Sequence, residues 1–199
     1  VFYVTLAAVS TTEGIKDSDG STWITDIVPS SAIQGNNMTV KTASLAIGLA
    51  SSPVSDTFVK GSTKVPAVGF TFTAGTAGDV LVTDVVLQGY FDENVDGTYG
   101  STGTDNSKSL KDTVPSLDLY DSSGNKISSV TKNVSSTGSA TFSGLTWTIK
   151  AGAVEKLEVR AVQISTTAPQ NSTNDRFSFD VSSVTAQKKD DGSSITVTP

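Results

Sequence analysis

Residues 79–91 read Asp79-Val80-Leu81-Val82-Thr83-Asp84-Val85-Val86-Leu87-Gln88-Gly89-Tyr90-Phe91. Apolar residues alternate with other residues at Val80 and Val82 and again at Val85 and Leu87, which is the period of a strand with one buried face. The alternation shifts by one residue between Val82 and Val85. Such a shift moves later side chains to the opposite face unless the strand contains a bulge or crosses between sheets. The run therefore predicts a long, bent strand.

The rest of the chain repeats this type of pattern. Phe142 is followed out of phase by Leu145, Trp147 and Ile149, and no segment has the 3.6-residue apolar period of a helix. Clusters of Gly, Asp, Asn, Ser and Pro separate the strand-like runs. We predict strands near residues 2–10, 22–28, 38–50, 54–59, 67–73, 79–91, 115–120, 126–134, 139–150, 154–165, 176–186 and 194–198. The predicted fold is all-β, an antiparallel sandwich of immunoglobulin-like or jelly-roll type.

The alternating apolar residues supply the predicted core, and they include Trp147 because it is in phase with Leu145 and Ile149. The complete set is Phe70, Phe72, Val80, Val82, Val85, Leu87, Leu117, Leu119, Phe142, Leu145, Trp147, Ile149, Leu157, Val159, Phe177, Phe179 and Val181.

The beginning of the chain is similar to a segment near its end. Residues 2–10 (FYVTLAAVS) align without a gap with residues 177–185 (FSFDVSSVT), and a charged turn, a short β-prone run and a proline follow both. We predict an N-terminal extension and linker over residues 1–36 and a sandwich domain over residues 37–199. The surplus strand could pair with a neighbouring copy, and the residues that would enter the neighbour are Phe2, Val4, Leu6 and Val9. Alternatively, burial alone imposes this period on any all-β chain, and the strand folds back into its own domain.

Composition excludes several kinds of function. The 199 residues contain no cysteine and no histidine, so disulfides, thiol catalysis and the usual general base near neutral pH are absent. The net charge of −6 disfavours binding to nucleic acid. No apolar run reaches the roughly 18 residues of a membrane span. Nothing in the spacing of the carboxylates selects a catalytic pair, so we predict that the chain is not an enzyme.

From about residue 65 onward the chain resembles the immunoglobulin-like repeat domains of secreted bacterial and archaeal surface proteins. The segments that carry the resemblance are Val68–Ala74, Asp79–Val82, Leu117–Asp121 and Ala140–Ile149 with Ala151-Gly152. The resemblance implies an extracellular or cell-surface module that is structural or adhesive and is often arranged in arrays. The chain also loosely resembles subunits of pilus-like donor-strand fibres, in which an N-terminal strand completes the sandwich of the next subunit. Residues 2–10 would be that strand.

A loop after the first quoted strand has the pattern of a calcium site. Residues 92–100 read Asp92-Glu93-Asn94-Val95-Asp96-Gly97-Thr98-Tyr99-Gly100, a D-x-N-x-D-G sequence. Oxygen ligands at alternate positions with a glycine after the third suit Ca²⁺. The candidate ligands are Asp92, Asn94, Asp96, Thr98 and Asp105. The alternative is an ordinary acidic turn, which is also how we interpret Asp17-Ser18-Asp19-Gly20 and Asp190-Asp191-Gly192.

Together these features predict an extracellular structural protein that assembles head to tail with copies of itself. The alternative is a monomeric adhesive or carbohydrate-binding module, with Trp23 and Tyr99 as the aromatic residues available for stacking on a glycan. Glycans are also candidate modifications, because Asn37, Asn133 and Asn171 begin N-glycosylation sequons.

Overall fold

The computed structural model describes residues 2–6, 16–22, 24, 31–93, 97, 99–100, 104–105, 108–167 and 175–198. The chain divides into two compact units, Val1–Lys41 and Thr42–Pro199. The boundary predicted from the sequence, between residues 36 and 37, lies slightly earlier in the chain.

Strands are the dominant elements of both units. The first unit contains β1 (Thr5–Leu6) and β2 (Ile33–Gln34). The second contains β3 (Ser44–Leu49), β4 (Thr63–Ala74), β5 (Val80–Asp92), β6 (Thr104–Asp105), β7 (Lys108–Ser109), α1 (Leu110–Thr113), β8 (Ser116–Tyr120), β9 (Lys132–Asn133), β10 (Ser139–Phe142), β11 (Trp147–Ile149), β12 (Val154–Gln163), β13 (Arg176–Lys188) and β14 (Thr196–Thr198). Among the described residues, no helix is long and apolar enough to cross a membrane.

Two sheets enclose the core of the second unit. One is six-stranded in the order β14-β3-β4-β12-β8-β9, and it is antiparallel except for the pair β14 and β3. The other is built around β5, with β10 and β11 following one another along one of its edges and β13 along the other. The predicted all-β antiparallel sandwich is therefore confirmed.

The phase shift within β5 is a bulge that keeps the strand in one sheet. Val82 pairs with Trp147 of β11 and Val85 pairs with Phe142 of β10. The ladder along this edge of β5 is therefore interrupted at Thr83 and Asp84, where the chain passes from β10 to β11. There the Leu145 amide donates a 2.8 Å hydrogen bond to the Thr83 carbonyl. Because the side chains on both sides of the shift are buried in one core, the extra residue restores the phase that the sequence loses.

The strand β13 contains a compensating irregularity. Its register against β5 shifts between Val181 and Ser183 and again between Thr185 and Ala186. The first shift adds Ser182 to β13 and the second adds Thr83 to β5. As a result Val181 and Ala186 both contact the core, although their spacing in the sequence would place them on opposite faces of a regular strand.

The core matches the sequence prediction closely. Phe72 and Trp147 pack edge to face, with ring centroids 5.0 Å apart and an interplanar angle of 65°. Phe177 and Val181 are only partly buried, and every other predicted core residue is buried. Leu110 and Val114, on and just after the single-turn helix α1, also belong to the core but lack a strand-like pattern.

Three predicted strands differ from the structure. The one predicted over residues 126–134 is reduced to β9, preceded by an isolated bridge between Lys126 and Tyr120. Residues 54–59 form no strand, because the segment after Pro53 leaves Val54 and Val59 exposed and only Phe58 packs against the core. The predicted strand over residues 38–50 is confined to β3, since Met38 and Val40 belong to the first unit and are exposed. The apolar alternation of Met38 and Val40 is out of phase with that of Leu45 and Ile47 in β3, and the boundary between the units falls between the two pairs.

Candidate functional site

The first part of the predicted assembly strand is paired within its own unit. Leu6 pairs with Ile33, and Phe2 and Met38 exchange two backbone hydrogen bonds of 2.8 Å. Residues 2–6 and 33–38 thus form a short two-stranded structure that we call the N-terminal ribbon. Val9, the last predicted residue of the assembly strand, lies outside the described residues.

The N-terminal ribbon exposes several large apolar side chains. Phe2 is 54% exposed, Tyr3 55% and Val4 77%, and Ile33 and Met38 are about as exposed as Phe2. Single exposed apolar residues are ordinary, but a contiguous group is typical of an interaction surface. The ribbon therefore has the chemistry of a segment that docks on another surface.

The strand that resembles residues 2–10 already occupies a place beside β5. β13 pairs with β5 from Arg176 to Lys188. On its other side, the described residues bond to β13 only at its C-terminal end, where Gln187 bridges to Ser194 and the Ile195 amide donates to the Ala186 carbonyl. Among the residues that the structure describes, the part of β13 from Arg176 to Val184 is therefore a sheet edge.

A groove with a volume of about 870 Å³ lies along this edge, and we call it the edge groove. Its walls are the first residues of β13, the segment after β3, and the first half of β4. Leu49 and Val54 on one wall are each 75% exposed. Polar, charged and apolar residues line the groove together: Leu49, Ala50, Pro53, Val54, Ser55, Asp56, Thr57, Phe58, Lys60, Pro66, Ala67, Val68, Gly69, Tyr99, Thr113, Ile164, Asp175, Arg176, Phe177, Ser178, Phe179 and Asp180.

The sequence of β4 explains why the groove opens here. β4 pairs with β12 along its length but with β3 only from Phe70 onward, so Pro66 lies where a missing amide costs no ladder hydrogen bond along that edge. The last backbone hydrogen bond between the β3 and β4 segments is at Gly69, whose carbonyl accepts a 2.9 Å hydrogen bond from the Ala50 amide. A side chain at Gly69 would overlap the carbonyl oxygen of Ser52. The first half of β4 is consequently left open toward the groove.

The predicted calcium ligands are only partly described. Asp92 ends β5 and is completely buried, and its neighbour Glu93 is 3% exposed. Asn94, Asp96 and Thr98 lie outside the described residues, and Asp105 is on β6, where it pairs with Lys108. Gly97 has a φ of +86°, and the Gly100 amide returns to the Phe91 carbonyl at 2.9 Å. Within the part of the chain that the structure describes, no group of three or more acidic side chains forms a metal site.

The two other acidic Asp-Gly sequences are turns, as predicted. The Gly20 amide donates to the Asp17 carbonyl at 3.0 Å, and the Gly192 amide donates to the Lys188 carbonyl at 2.9 Å. The hydroxyl and amide of Ser193, and the ammonium of Lys188, lower the pKa of Asp191 to about 2. These carboxylates stabilise their own turns.

The residues of the alternative function are separated. Trp147 is part of the core, Trp23 lies outside the described residues, and Tyr99 is 43% exposed and lines the edge groove. Of the sequon asparagines, Asn37 and Asn133 are exposed, and Asn171 lies outside the described residues.

Comparisons with protein-family models, curated proteins and solved structures found no match to this chain. The fold and the candidate site define the protein as an all-β antiparallel sandwich in which, among the described residues, an open sheet edge lies beside a groove of mixed polar and apolar lining.

Proposed function

We propose that this chain is an extracellular structural protein that assembles head to tail, by adding its N-terminal strand to the sandwich of a neighbouring copy. The observation that carries the proposal is the β13 edge, which no described residue pairs from Arg176 to Val184, beside a groove of mixed polar and apolar lining, in a chain whose residues 2–4 expose apolar side chains. Strand addition requires a pairing edge and space for alternate side chains, and the β13 edge and the edge groove support the proposal as candidates for these.

The mechanism follows from the geometry of strands. A strand added to a sheet edge forms ladder hydrogen bonds that supply affinity, while Phe2, Val4, Leu6 and Val9 occupy alternating pockets that supply specificity. Donor and acceptor surfaces are different parts of the chain, so each bound copy still offers one of each. Such a heterologous contact propagates as a filament unless the rotation between copies closes a ring.

The sequence supports the extracellular setting. The resemblance of residue 65 onward to immunoglobulin-like modules of secreted surface proteins favours a surface structure. The absence of cysteine means that the subunit depends on its packed core rather than on disulfides. On this proposal the partner is a second copy of the chain, and glycans are covalent additions at exposed asparagines such as Asn37 and Asn133.

Negative-stain electron microscopy of the full chain tests this function. We expect regular fibres or arrays from the intact protein, and dispersed folded particles after deletion of residues 1–10 or substitution of Val4→Asp. Val130→Asp is the matched control, because Val130 is an exposed valine outside the edge groove. Dispersed particles from the intact protein at every concentration would exclude the proposed polymer.

The alternative function is a carbohydrate-binding module that uses the same groove. It is favoured by Tyr99, whose partly exposed ring lines the groove and offers a stacking surface. That module would stay monomeric and would be retained on a glycan matrix, and Tyr99→Ala would abolish retention.

A further inference from the structure

We infer that the acceptor for a second copy is the edge groove together with the β13 edge from Arg176 to Val181, and that the donor is the N-terminal ribbon rather than a single strand. This inference rests on the proposed function and specifies both of its surfaces. It is carried by edge geometry and by the distribution of exposed apolar side chains.

Residues 2–10 resemble residues 177–185 of β13, but the position beside β5 is not available to them. β13 occupies it, pairing with β5 from Arg176 to Lys188 and burying Phe179 and Ala186 in the core. A donor from another copy would have to displace the whole strand. Addition outside β13 requires no such displacement, so the acceptor edge is that of β13 itself.

Apart from the first half of β4, which opens toward the same groove and contains Pro66, the other sheet edges among the described residues are short. The six-stranded sheet ends in β14 (Thr196–Thr198) and β9 (Lys132–Asn133), and the far side of the second sheet is divided between β10 and β11. Short and interrupted edges offer few ladder hydrogen bonds. By contrast β13 is regular from Arg176 until its bulge after Val181, which limits the acceptor to that stretch.

The donor can keep its own pairing when it adds to this acceptor. One edge of residues 2–6 is bonded to residues 33–38 through Phe2, through the Val4 carbonyl, which accepts a 2.8 Å hydrogen bond from the Gly35 amide, and through the pairing of Leu6 with Ile33. A ribbon can still add to a sheet through the opposite edge of residues 2–6, without breaking its own hydrogen bonds. The added ribbon would extend the second sheet by two strands across the contact between copies.

Exposed apolar side chains are concentrated on these two surfaces. Among the described residues, most large apolar side chains with high exposure lie on or next to the N-terminal ribbon or the edge groove: Phe2, Tyr3, Val4, Ile33, Met38, Val40, Leu49, Val54, Val59 and Tyr99. On the acceptor, Phe177 and Val181 are only partly buried at the margin of the core. Docking would cover both groups, and burial of apolar surface is the main driving force for association.

Charge does not oppose the contact. Residues 2–6 carry no charged side chain, so the donor brings no like charge toward the charged residues that line the groove, which are Asp56, Lys60, Asp175, Arg176 and Asp180. The charged residues at the groove restrict which segments can bind. A charged donor strand would place a charge of the same sign opposite either an aspartate or Arg176, and like charges on paired strands are destabilising.

Disulfide trapping between two single-cysteine variants tests the inference, because the natural chain contains no cysteine. Val4→Cys places a thiol on the ribbon and Val54→Cys places one on the groove. After the two proteins are mixed and oxidised under assembly conditions, we expect the Val4→Cys/Val54→Cys heterodimer in several-fold excess over the control pair Val4→Cys/Val154→Cys. Val154 is a matched control because it is exposed on β12, outside the groove.

A second measurement covers the case in which oxidation is limited by thiol geometry. Val54→Asp should abolish assembly and Val154→Asp should preserve it, with circular dichroism confirming that both variants are folded. Fibres from the natural chain with equal trapping at both positions, or with unchanged assembly of Val54→Asp, would overturn the acceptor while the proposed function stands. Dispersed particles from the natural chain would overturn the proposed function itself.

Discussion

At the scale of single residues, Gly89 is a point of very close packing in the sandwich. It lies on β5, and a Cβ built there would overlap Leu110 Cδ2 and lie 2.7 Å from Phe179 Cε1. This glycine brings the helical turn α1 and the strand β13 together over β5. Leu110 and Phe179 can pack this closely on β5 only because the residue between them has no side chain.

We predict that Gly89→Ala lowers the free energy of unfolding by about 1–3 kcal/mol, the usual cost of overpacking a core. Chemical denaturation measures the change. Gly78→Ala is the control, because a Cβ at Gly78 would meet Lys188 only at 3.5 Å or more and the stability should hardly change. Equal effects of the two substitutions would contradict this account.

Glu158 is the centre of a charge cluster on the six-stranded sheet. Its carboxylate accepts hydrogen bonds from Arg160 Nε at 2.6 Å and Lys156 Nζ at 3.0 Å, and the Arg160 guanidinium lies 4.2 Å from the centre of the Tyr120 ring. Burial raises the pKa of Glu158, but the bonds and charges of Arg160 and Lys156 outweigh burial and hold the pKa below its usual 4.5.

A lowered carboxyl pKa makes stability depend on pH in a defined direction. The folded state favours the ionised Glu158, so the stabilisation is complete above pH 4.5 and is lost as the pH falls through the lower pKa of the folded protein. We predict that Glu158→Gln costs about 1–2 kcal/mol at neutral pH, between the values for exposed and for buried ion pairs.

The two proteins should become equally stable at strongly acidic pH, and denaturation curves across the acid range measure this convergence. Glu155→Gln is the control on the same strand, since that carboxylate accepts a hydrogen bond from Ser122. A difference between Glu158→Gln and the natural chain that stays constant with pH would refute the assignment.

At the scale of elements, β5 organises the second sheet and also leads into the candidate calcium loop. Its last residue, Asp92, and the next, Glu93, bury their carboxylates at the start of that loop. Carboxylate, amide and hydroxyl oxygens are the ligands that Ca²⁺ prefers, so the residue types of the loop fit the ion. Calcium binding therefore stays a prediction of the sequence.

We predict that Ca²⁺ raises the Tm of the protein relative to a chelator, because an ion bound only by the folded state stabilises it. Asp92→Asn should remove most of this increase. Asp191→Asn should retain it, because Asp191 belongs to a turn in which Ser193 and Lys188 already contact the carboxylate. Identical melting of the natural chain in Ca²⁺ and in chelator would show that residues 92–100 are an ordinary acidic turn.

At the scale of the whole molecule, the proposed function brings together copies of like charge. The net charge of −6 keeps separate copies apart at long range, and physiological salt screens that repulsion beyond about 8 Å. Contact between copies then depends on apolar burial and strand pairing. The proposed polymer is consistent with both, because neither depends on a charge pair.

The sequence by itself determined the fold class, the turns and most of the core, because burial on one face of a strand imposes a period that can be read locally. The phase breaks at Val82–Val85 and Phe142–Leu145 also located the irregularity in these strands. They did not decide between a bulge and a strand that crosses from one sheet to the other.

Tertiary structure decided what depends on distant partners. Only the pairing of β13 with β5 shows that the segment similar to residues 2–10 already occupies the edge of β5. Only the packing of Leu110 on Gly89 places a helical turn in the core. The edge groove likewise arises from β3, β4 and β13, which are far apart in the chain. A sheet edge is defined by the strand that is missing beside it, and local sequence does not record which neighbours a strand acquires.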